Sequence, residues 1–278
     1  MSREKEARRL LALRPFFSKK SGGWDSLLRR ATAADRTVVF LDFDGTLVSI
    51  RPRPGDAVLS RSARTLLAAA ARHPRISLHI VTGRSMTDIR RLVGLENVGY
   101  AADHGFEIDL GRAAWRHPAA GEARPLLRDV GRRLRRVLAN VEGTIVEDKD
   151  ATLSIHYRGM KGLRVDTLKN IVGGIVRERG RLRLRSGKKV LEIGPDVHWD
   201  KGQAAVKMLE MLACPASLPV VYIGDDQTDE DAFRALAPAA FTIRVGRGRS
   251  SRARYVLDDP DAVLSFLRRL VHALPQRN

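Results

Sequence analysis

Cysteine is almost absent from this sequence of 278 residues, since Cys214 is the only one. A single cysteine excludes an intramolecular disulfide framework and a cysteine-rich metal cluster. Aromatic residues make up only 5% of the chain, which leaves few rings for stacking on nucleic-acid bases. No apolar run reaches the roughly 18 residues that a transmembrane helix requires. The apolar run at residues 10–13 is too short for a signal peptide, and Glu4 and Glu6 disfavour a transit peptide, so we expect a cytoplasmic protein.

The remaining composition is that of a folded, basic protein. Hydrophobic residues account for 44% and charged residues for 29% of the chain, as in ordinary globular domains. At about 150 residues per domain, the length predicts two domains or one large α/β domain with an insertion. The net charge is +18, and the excess lies mainly in residues 1–34, 112–140 and 158–189. The positive electrostatic field of this excess attracts phosphorylated metabolites or nucleic acid. The scarcity of aromatic residues disfavours nucleic acid.

The two ends of the chain alternate between strand and helix patterns, as in a parallel α/β sheet. A continuous apolar run at 38–43 predicts a buried strand, which helix 60–73 and strand 76–81 extend into a βαβ unit. The pattern returns later, in helix 202–212, strand 220–223, helix 228–236, strand 241–245 and helix 262–274. The first residues predict a short basic helix that precedes a break at residues 21–23.

The middle of the chain has a different pattern. Apolar residues recur with helical spacing near 126–138 and 163–175, whereas alternation at 153–157 and 182–184 predicts half-exposed strands. The order αββαββ indicates an α+β unit inserted into an α/β core. The predicted domains are a basic N-terminal arm (1–34), a core domain in two parts (35–109 and 196–278) and an inserted cap domain (110–195).

The string DFDGT at residues 42–46 ends the first predicted strand. Period-two alternation places the carboxylates of Asp42 and Asp44 on one side of the chain. Carboxylates crowded at a strand tip need a cation between them or different protonation states, and Mg²⁺ with a phosphate meets both requirements. This indicates that Asp42 attacks phosphorus to form an aspartyl phosphate, while Asp44 protonates the leaving alcohol and later deprotonates water. A simple strand-ending turn is the alternative for an isolated pair, and the longer string disfavours it.

With this string the sequence resembles the haloacid dehalogenase superfamily of phosphotransferases, whose other motifs follow in the expected order. The resemblance implies that Thr82 and Gly83, in VTGR at 81–84, bind a phosphate oxygen. It also implies that Lys201 neutralises the phosphate and the nucleophile. Lys201 lies at a predicted helix start, where the helix dipole disfavours a cation, so an anionic neighbour is expected.

The metal site implied by the resemblance consists of Asp42, Asp44, Asp225 and Asp229. Asp44 would contribute its carbonyl oxygen, and Asp229 would support the shell directly or through water. The last two aspartates lie in GDDQTDEDAF at 224–233. Within it, Thr228 and Asp231 predict a capping box for the following helix.

Further strings resemble the trehalose-6-phosphate phosphatases within this superfamily. They are ADHG at 102–105, VEDK at 146–149, HYR at 156–158, LEIGP at 191–195 and KGQA at 201–204. Three of them lie in the predicted insert, which motifs common to the superfamily do not reach. The resemblance covers residues 38–257 and implies a Rossmann-like parallel-sheet core with an inserted C2-type α+β cap that closes over a disaccharide phosphate.

The resemblance also implies which carboxylates and cations hydrogen-bond the sugar. They are Arg84, His104, Glu147, Lys149, Arg158, Lys188 and Glu192. A solvated charged surface is the alternative for Arg158 and Lys188, which belong to the basic insert, and His156 is interpreted as structural. Two positions depart from the family: Asp103 stands where Glu is more frequent, and Gly194, where Arg is more frequent, removes one possible substrate contact.

Together these features predict a Mg²⁺-dependent phosphatase that hydrolyses trehalose 6-phosphate to trehalose and phosphate. A phosphatase of another sugar phosphate, such as sucrose phosphate or a glycosyl-phosphoglycerate, is the first alternative. A non-catalytic protein that binds nucleic acid or a protein partner would explain the +18 charge but not the intact motifs. We expect no membrane partner, and association with a trehalose-6-phosphate synthase is a further hypothesis.

Overall fold

The computed structural model describes residues 13–51, 54–187, 189–246 and 250–276. The chain divides into two compact units. The first contains the residues up to 83, residues 87–114 and those from 199 onward, and the second contains 84–86 and 115–198. Among the described helices, none is both long and apolar enough to cross a membrane. The predicted domain boundaries at residues 34, 110 and 195 stay predictions.

The described strands and helices are named here in chain order. The strands are β1 (Arg14–Pro15), β2 (Thr37–Leu41), β3 (Ile76–Val81), β4 (Gly99–Ala102), β5 (Glu107–Asp109), β6 (Ala114–Arg116), β7 (Ile145–Asp148), β8 (Leu153–His156), β9 (Leu182–Ser186), β10 (Val190–Pro195), β11 (Val220–Gly224), β12 (Phe241–Val245) and β13 (Tyr255–Leu257). The helices are α1 (Gly23–Ala33), α2 (Arg61–Arg72), α3 (Met86–Val93), α4 (Pro118–Val137), α5 (Val165–Arg177), α6 (Lys201–Met211), α7 (Asp229–Leu236) and α8 (Pro260–Ala273).

The first unit is built on a mostly parallel sheet with the strand order β1-β13-β12-β11-β2-β3-β4-β5, in which only β4 and β5 are antiparallel neighbours. Every residue of β2 is buried, as expected for a parallel strand that is covered on both faces. Leu41 at its end pairs with Ile223 of β11 on one side and with Ile80 of β3 on the other. The segments that follow β11, β2 and β3 therefore begin side by side at one edge of the sheet.

Helix α2 illustrates how the sequence sets the ends of an element. The hydroxyl of Ser60 accepts a hydrogen bond from the N–H of Ala63 at 3.1 Å, which satisfies one donor of the first turn. Leu67 and Ala70 are buried on the same face as Ala63. The helix ends before Pro74, because the residue that precedes a proline is disfavoured in the helical conformation.

The described part of the N-terminal segment packs on the first unit. The first twelve residues of the predicted basic arm lie outside the described residues. Strand β1 pairs in parallel with β13, and the buried ring of Phe16 lies 5.3 Å from that of Tyr255 and 5.6 Å from that of Phe266. The helix predicted before the glycine break falls largely on residues 1–12 and stays a prediction, and the described residues show a further helix, α1, which begins at Gly23 of the break.

The second unit has an antiparallel sheet with the strand order β7-β8-β10-β9. One sheet face is apolar and packs with α4 and α5 around a core that includes Leu153, Ile155, Leu191 and Ile193. Because strand side chains alternate, the other face carries the polar residues of the same strands. The element order α4-β7-β8-α5-β9-β10 confirms the predicted αββαββ unit.

The long periodic elements of the first unit are confirmed as well, and the mostly parallel sheet confirms the predicted fold class. Outside the N-terminal segment, β4, β5, β6, β13 and α3 were not predicted from the sequence. These elements have between three and eight residues, too few for a periodic pattern to stand out.

Candidate active site

The DFDGT string forms a tight turn after β2. Asp42 is nearly buried and Phe43 is fully buried. The N–H of Gly45 donates to the carbonyl of Val48 at 2.7 Å, which closes the turn. Gly45 has a φ of +87°, and a methyl group there would lie 2.3 Å from Oδ2 of Asp225. The turn therefore requires glycine, and it lies directly against the loop that follows β11.

Lys201 begins α6, and its ammonium group lies between two buried carboxylates. Its Nζ donates to Oδ1 of Asp42 at 2.8 Å and to Oδ1 of Asp229 at 2.9 Å. The preceding Asp200 caps the helix by accepting a hydrogen bond from the N–H of Gln203 at 3.0 Å. The two carboxylates compensate for the unfavourable position of a cation at a helix N-terminus, as the sequence argument requires.

Asp229 organises the loop between β11 and α7. Its Oδ2 accepts hydrogen bonds from the N–H groups of Asp225 and Asp226, both at 3.0 Å. Its Oδ1 accepts from the hydroxyl of Tyr222 at 3.0 Å, in addition to Lys201. With four donors on a fully buried carboxylate, Asp229 fixes the loop that presents Asp225.

The predicted capping box at Thr228 is wrong. The Thr228 side chain makes no capping hydrogen bond to α7. Instead, Oδ1 of Asp226 accepts hydrogen bonds from the N–H and the hydroxyl of Thr228, at 2.8 and 2.7 Å, and from the N–H of Asp229 at 3.3 Å. A carboxylate is a stronger acceptor than a hydroxyl group, so the Asp226 side chain, rather than that of the N-cap residue Thr228, accepts from the first N–H of α7.

Asp42, Asp225 and Asp229 form a group whose carboxylate oxygens lie within 4.8 Å of one another. Burial raises the pKa of Asp42 well above its ordinary value, Lys201 opposes this shift, and Asp229 and Asp225 add to it. Burial likewise raises the pKa of Asp229. Burial by itself lowers the pKa of Lys201, but Asp229 and Asp42 outweigh it, and the pKa lies well above its ordinary value. One ammonium group therefore does not balance these carboxylates, and an ionised Asp42 needs a further cation.

The donor set of this group fits Mg²⁺, which prefers carboxylate and carbonyl oxygens. Asp42 and Asp225 follow neighbouring strands and carry the two carboxylates best placed to hold the ion. The oxygens of Asp229 already accept four hydrogen bonds, which favours a supporting role for this residue. Asp44 does not belong to the carboxylate group found among the described residues, and its expected ligand atom is the carbonyl oxygen.

The VTGR string follows β3 at the same edge of the sheet. Thr82 is buried, its N–H donates to the carbonyl of Ala101 at 2.8 Å, and its carbonyl accepts from the N–H of His104 at 2.9 Å. A methyl group at Gly83 would lie 2.6 Å from the His104 ring, so the ring packs directly on the turn. Arg84 is nearly buried, and its contacts group it with the second unit.

Three of the predicted sugar-binding residues, Glu147, Lys149 and Glu192, have polar partners on the polar sheet face of the second unit. Nε2 of His156 lies 2.7 Å from Oε2 of Glu147. Nζ of Lys149 lies 3.4 Å from Oε1 of Glu192, and the hydroxyl of Ser154 lies 3.4 Å from the same oxygen. Glu147 and Glu192 both pair with Ser154 in the strand register, so the three side chains share one face.

The remaining predicted residues of the second unit are more dispersed. Arg158 is exposed in the turn after β8, and Lys188 lies outside the described residues. Gly194 pairs with Arg183 of β9, so an arginine stands beside the position where the sequence lacks one. The functional roles of the predicted site residues stay predictions.

Sequence reasoning missed three buried polar residues around the loop after β11. Tyr222 donates to Asp229, and Arg244 forms a buried ion pair with Glu230 at 2.9 Å. A charged residue inside the otherwise apolar strand β12 was an available signal for Arg244, because a buried charge needs a partner. Tyr222 gives no such signal, since tyrosine is common in core strands.

The arrangement of these motifs defines a class of protein. An aspartate string follows the central strand, a threonine turn and an acidic loop follow its two neighbours, and a lysine reaches the first aspartate from a helix start. The fold that carries them is shared with a haloacid dehalogenase-like hydrolase from Bacteroides thetaiotaomicron (TM-score 0.60, 15% identity, covering 85% of this chain and 100% of that one).

The chain belongs to the trehalose-phosphatase family, whose model matches residues 40–261. It is 36% identical over 258 residues to the probable trehalose-phosphate phosphatase D of Arabidopsis thaliana, covering 88% of this chain and 69% of that protein. It is also 36% identical over 249 residues to the trehalose-phosphate phosphatase of Mycobacterium tuberculosis strain H37Rv, covering 87% of this chain and 63% of that protein. The crystal structure of a trehalose-6-phosphate phosphatase related protein has a TM-score of 0.75 at 24% identity, covering 84% of this chain and 97% of its own. The family predicted from the sequence is confirmed.

Proposed function

We propose that this chain is a Mg²⁺-dependent phosphatase that releases trehalose and inorganic phosphate from trehalose 6-phosphate. The observation that supports it most is the group formed by the buried Asp42, Lys201 and Asp229 with the half-buried Asp225, in a member of the trehalose-phosphatase family. A nucleophilic carboxylate, a fixed ammonium group and a cation site at one sheet edge are what phosphoryl transfer requires.

Asp42 acts as the nucleophile. One of its carboxylate oxygens attacks phosphorus, the bond between phosphorus and the sugar oxygen breaks, and an aspartyl phosphate forms. Lys201 holds the carboxylate in position, and the Thr82 hydroxyl with the adjacent amides binds a phosphate oxygen. When bound, Mg²⁺ supplies positive charge that stabilises the transferring phosphoryl group. The residues that would hold it are Asp42, Asp225 and the carbonyl of Asp44.

Asp44 moves the protons in both steps. It donates a proton to the departing sugar oxygen, which leaves Asp44 ionised. It then takes a proton from the water whose oxygen attacks phosphorus, and the phosphorus–oxygen bond to Asp42 breaks to release phosphate and regenerate the carboxylate. General acid–base catalysis of this kind contributes roughly 10² to 10⁴ in rate.

The polar sheet face of the second unit is proposed to bind the sugar. Glu147 and Glu192 accept hydrogen bonds from sugar hydroxyls, and Lys149 donates hydrogen bonds to the sugar hydroxyl oxygens. The pairing of Lys149 with Glu192 keeps both side chains extended on that face. The further sugar-binding residues that we propose are Arg84, His104, Arg158 and Lys188.

The test is phosphate release from trehalose 6-phosphate, sucrose phosphate, a glycosyl-phosphoglycerate and an aryl phosphate. Trehalose 6-phosphate is expected to have the highest specificity constant, EDTA to abolish turnover and Mg²⁺ to restore it. Asp42→Asn is expected to abolish turnover while the thermal unfolding transition is retained, because an amide is too weak a nucleophile.

Two results would overturn the chemistry: activity of Asp42→Asn within about tenfold of the wild type, or full activity after exhaustive chelation. A preference for another sugar phosphate would overturn only the substrate assignment. A cytoplasmic location and an association with a trehalose-6-phosphate synthase stay predictions.

A further inference from the structure

Arg244 on β12 is a buried cation that connects the loop after β11 with the first turn of α7. Its Nη1 donates to Oε1 of Glu230 at 2.9 Å, and its Nη2 donates to the backbone carbonyl of Asp225 at 2.7 Å. Arg244 is 8% exposed and Glu230 9% exposed. The strand register places Gly224 opposite Arg244, so the guanidinium group reaches the carbonyl of the next residue along.

Glu230 is held by three groups at once. Besides Arg244, its carboxylate accepts hydrogen bonds from the hydroxyl of Ser251 and from the N–H of Arg252, both at 2.7 Å. These contacts fix the carboxylate, which in turn orients the planar guanidinium group. Burying two charges in this way is costly, and the proposed chemistry uses neither of them directly.

The Arg244–Glu230 pair holds the backbone of Asp225 on one side, and Asp229 holds it on the other. The N–H of Asp225 donates to Asp229, and the carbonyl of Asp225 accepts from Arg244. Because both backbone polar groups are held, the direction in which the carboxylate leaves the backbone is restricted. That carboxylate belongs to the group formed with Asp42.

We propose that Arg244 and Glu230 are positioning residues that hold Asp225 in place as a cation ligand and thereby set the affinity of the site for Mg²⁺. The proposal rests on the proposed function of this site. Loss of the hydrogen-bond partners that orient metal ligands typically weakens metal binding about 10- to 100-fold. Mg²⁺ binding is expected to weaken by this factor when the contact between Arg244 and Asp225 is removed.

The experiment is a calorimetric titration of the metal-stripped protein with Mg²⁺, together with the Mg²⁺ dependence of phosphate release. The two variants are Arg244→Lys, whose single ammonium group cannot replace both guanidinium contacts, and the double variant Arg244→Met/Glu230→Gln, which leaves no unpaired buried charge. Both are expected to bind Mg²⁺ at least about tenfold more weakly. At saturating Mg²⁺, kcat is expected to stay within about threefold of the wild type, because Asp42 and Asp44 are unchanged.

Arg234→Met is the matched control. Arg234 lies on α7 like Glu230, but it is 51% exposed and pairs with Asp231 at 2.8 Å and with Asp200 at 3.8 Å. Neither aspartate belongs to the carboxylate group of Asp42 and Asp225, so the loss of Arg234 should leave Mg²⁺ affinity unchanged. If either variant is folded and binds Mg²⁺ as tightly as the wild type, the positioning role is wrong while the proposed function stands. If the wild type itself binds no Mg²⁺, the proposed function of the site fails.

Discussion

Replacing Lys201 with methionine tests whether one buried ammonium group carries the positive charge of the site. The Lys201 side chain is 3% exposed, and its Nζ lies 2.8 Å from Asp42 and 2.9 Å from Asp229. Methionine is unbranched and of similar length, so the packing of the chain is largely retained. The substitution therefore changes mainly the charge.

The expected loss follows from proton balance. Without Lys201 the buried carboxylates lose one positive charge, so one of them takes up a proton in the folded protein. The ordinary pKa of an aspartate is 3.8, and each pH unit above it costs about 1.4 kcal/mol, which gives about 4 kcal/mol near pH 7. Removal of one partner from a buried ion pair costs a similar amount, about 3 to 5 kcal/mol.

The stability of the variant depends on pH for the same reason. The folded variant binds one more proton than the folded wild type, so the stability of the variant falls relative to that of the wild type as the pH rises. The difference from the wild type is expected to shrink from about 4 kcal/mol near pH 7 to about 2 kcal/mol near pH 5.

Urea unfolding in EDTA at both pH values measures these differences. Lys207→Met is the control, since Lys207 lies on the same helix but pairs with Glu210 at 3.2 Å on the surface. Its loss should cost less than about 0.5 kcal/mol. A Lys201→Met variant within about 1 kcal/mol of the wild type near pH 7 would refute the reasoning, because the carboxylates would then not depend on Lys201 for their charge balance.

Three further predictions concern other parts of the molecule. Gly45→Ala should lower activity by about 10² or more, because its methyl group would displace the Asp225 carboxylate. Gly111→Ala should not lower activity, because Gly111 also has a positive φ but open space around it. Equal activities of the two variants would contradict the close contact between Gly45 and Asp225. Burial, followed by Arg36, lowers the pKa of His79 from 6.5 to about 3, so the stability that neutral His79 contributes is complete above pH 6.5 and is lost as the pH falls toward 3. Urea unfolding should show about 2 kcal/mol of this loss between about pH 7 and pH 5, and the loss should be missing in His79→Gln. If the stability of the wild type and of His79→Gln changes equally with pH, the contribution of His79 is disproved. Glu192→Ala should lower the specificity constant for trehalose 6-phosphate about 10- to 100-fold and leave aryl phosphate hydrolysis nearly unchanged, and an equal loss on both substrates would assign the residue to folding.

The sequence by itself determined the long elements and predicted which residues carry the chemistry. Strands β3 and β12 have the bounds that the sequence predicts, because a strand buried on both faces is a mainly apolar segment. Helix α2 lies within one residue of its predicted bounds at each end, since Ser60 and Pro74 mark the ends locally. The αββαββ order of the second unit is also readable, because helix and strand periods differ along the chain.

Only the tertiary structure decided which of these residues meet. Lys201 and Asp42 are 159 positions apart, and their contact depends on the strand order that puts β11 beside β2. The sequence predicted Thr228 as the cap of α7, whereas the path of the loop brings the Asp226 carboxylate to the N–H of Asp229. The contact of Arg244 with the Asp225 carbonyl depends on register between two strands. The spacing of apolar residues shows that one face of a helix or strand is buried, but it does not show which residues cover that face. The local pattern is the same whichever apolar or hydrogen-bonding partner packs there from elsewhere in the chain.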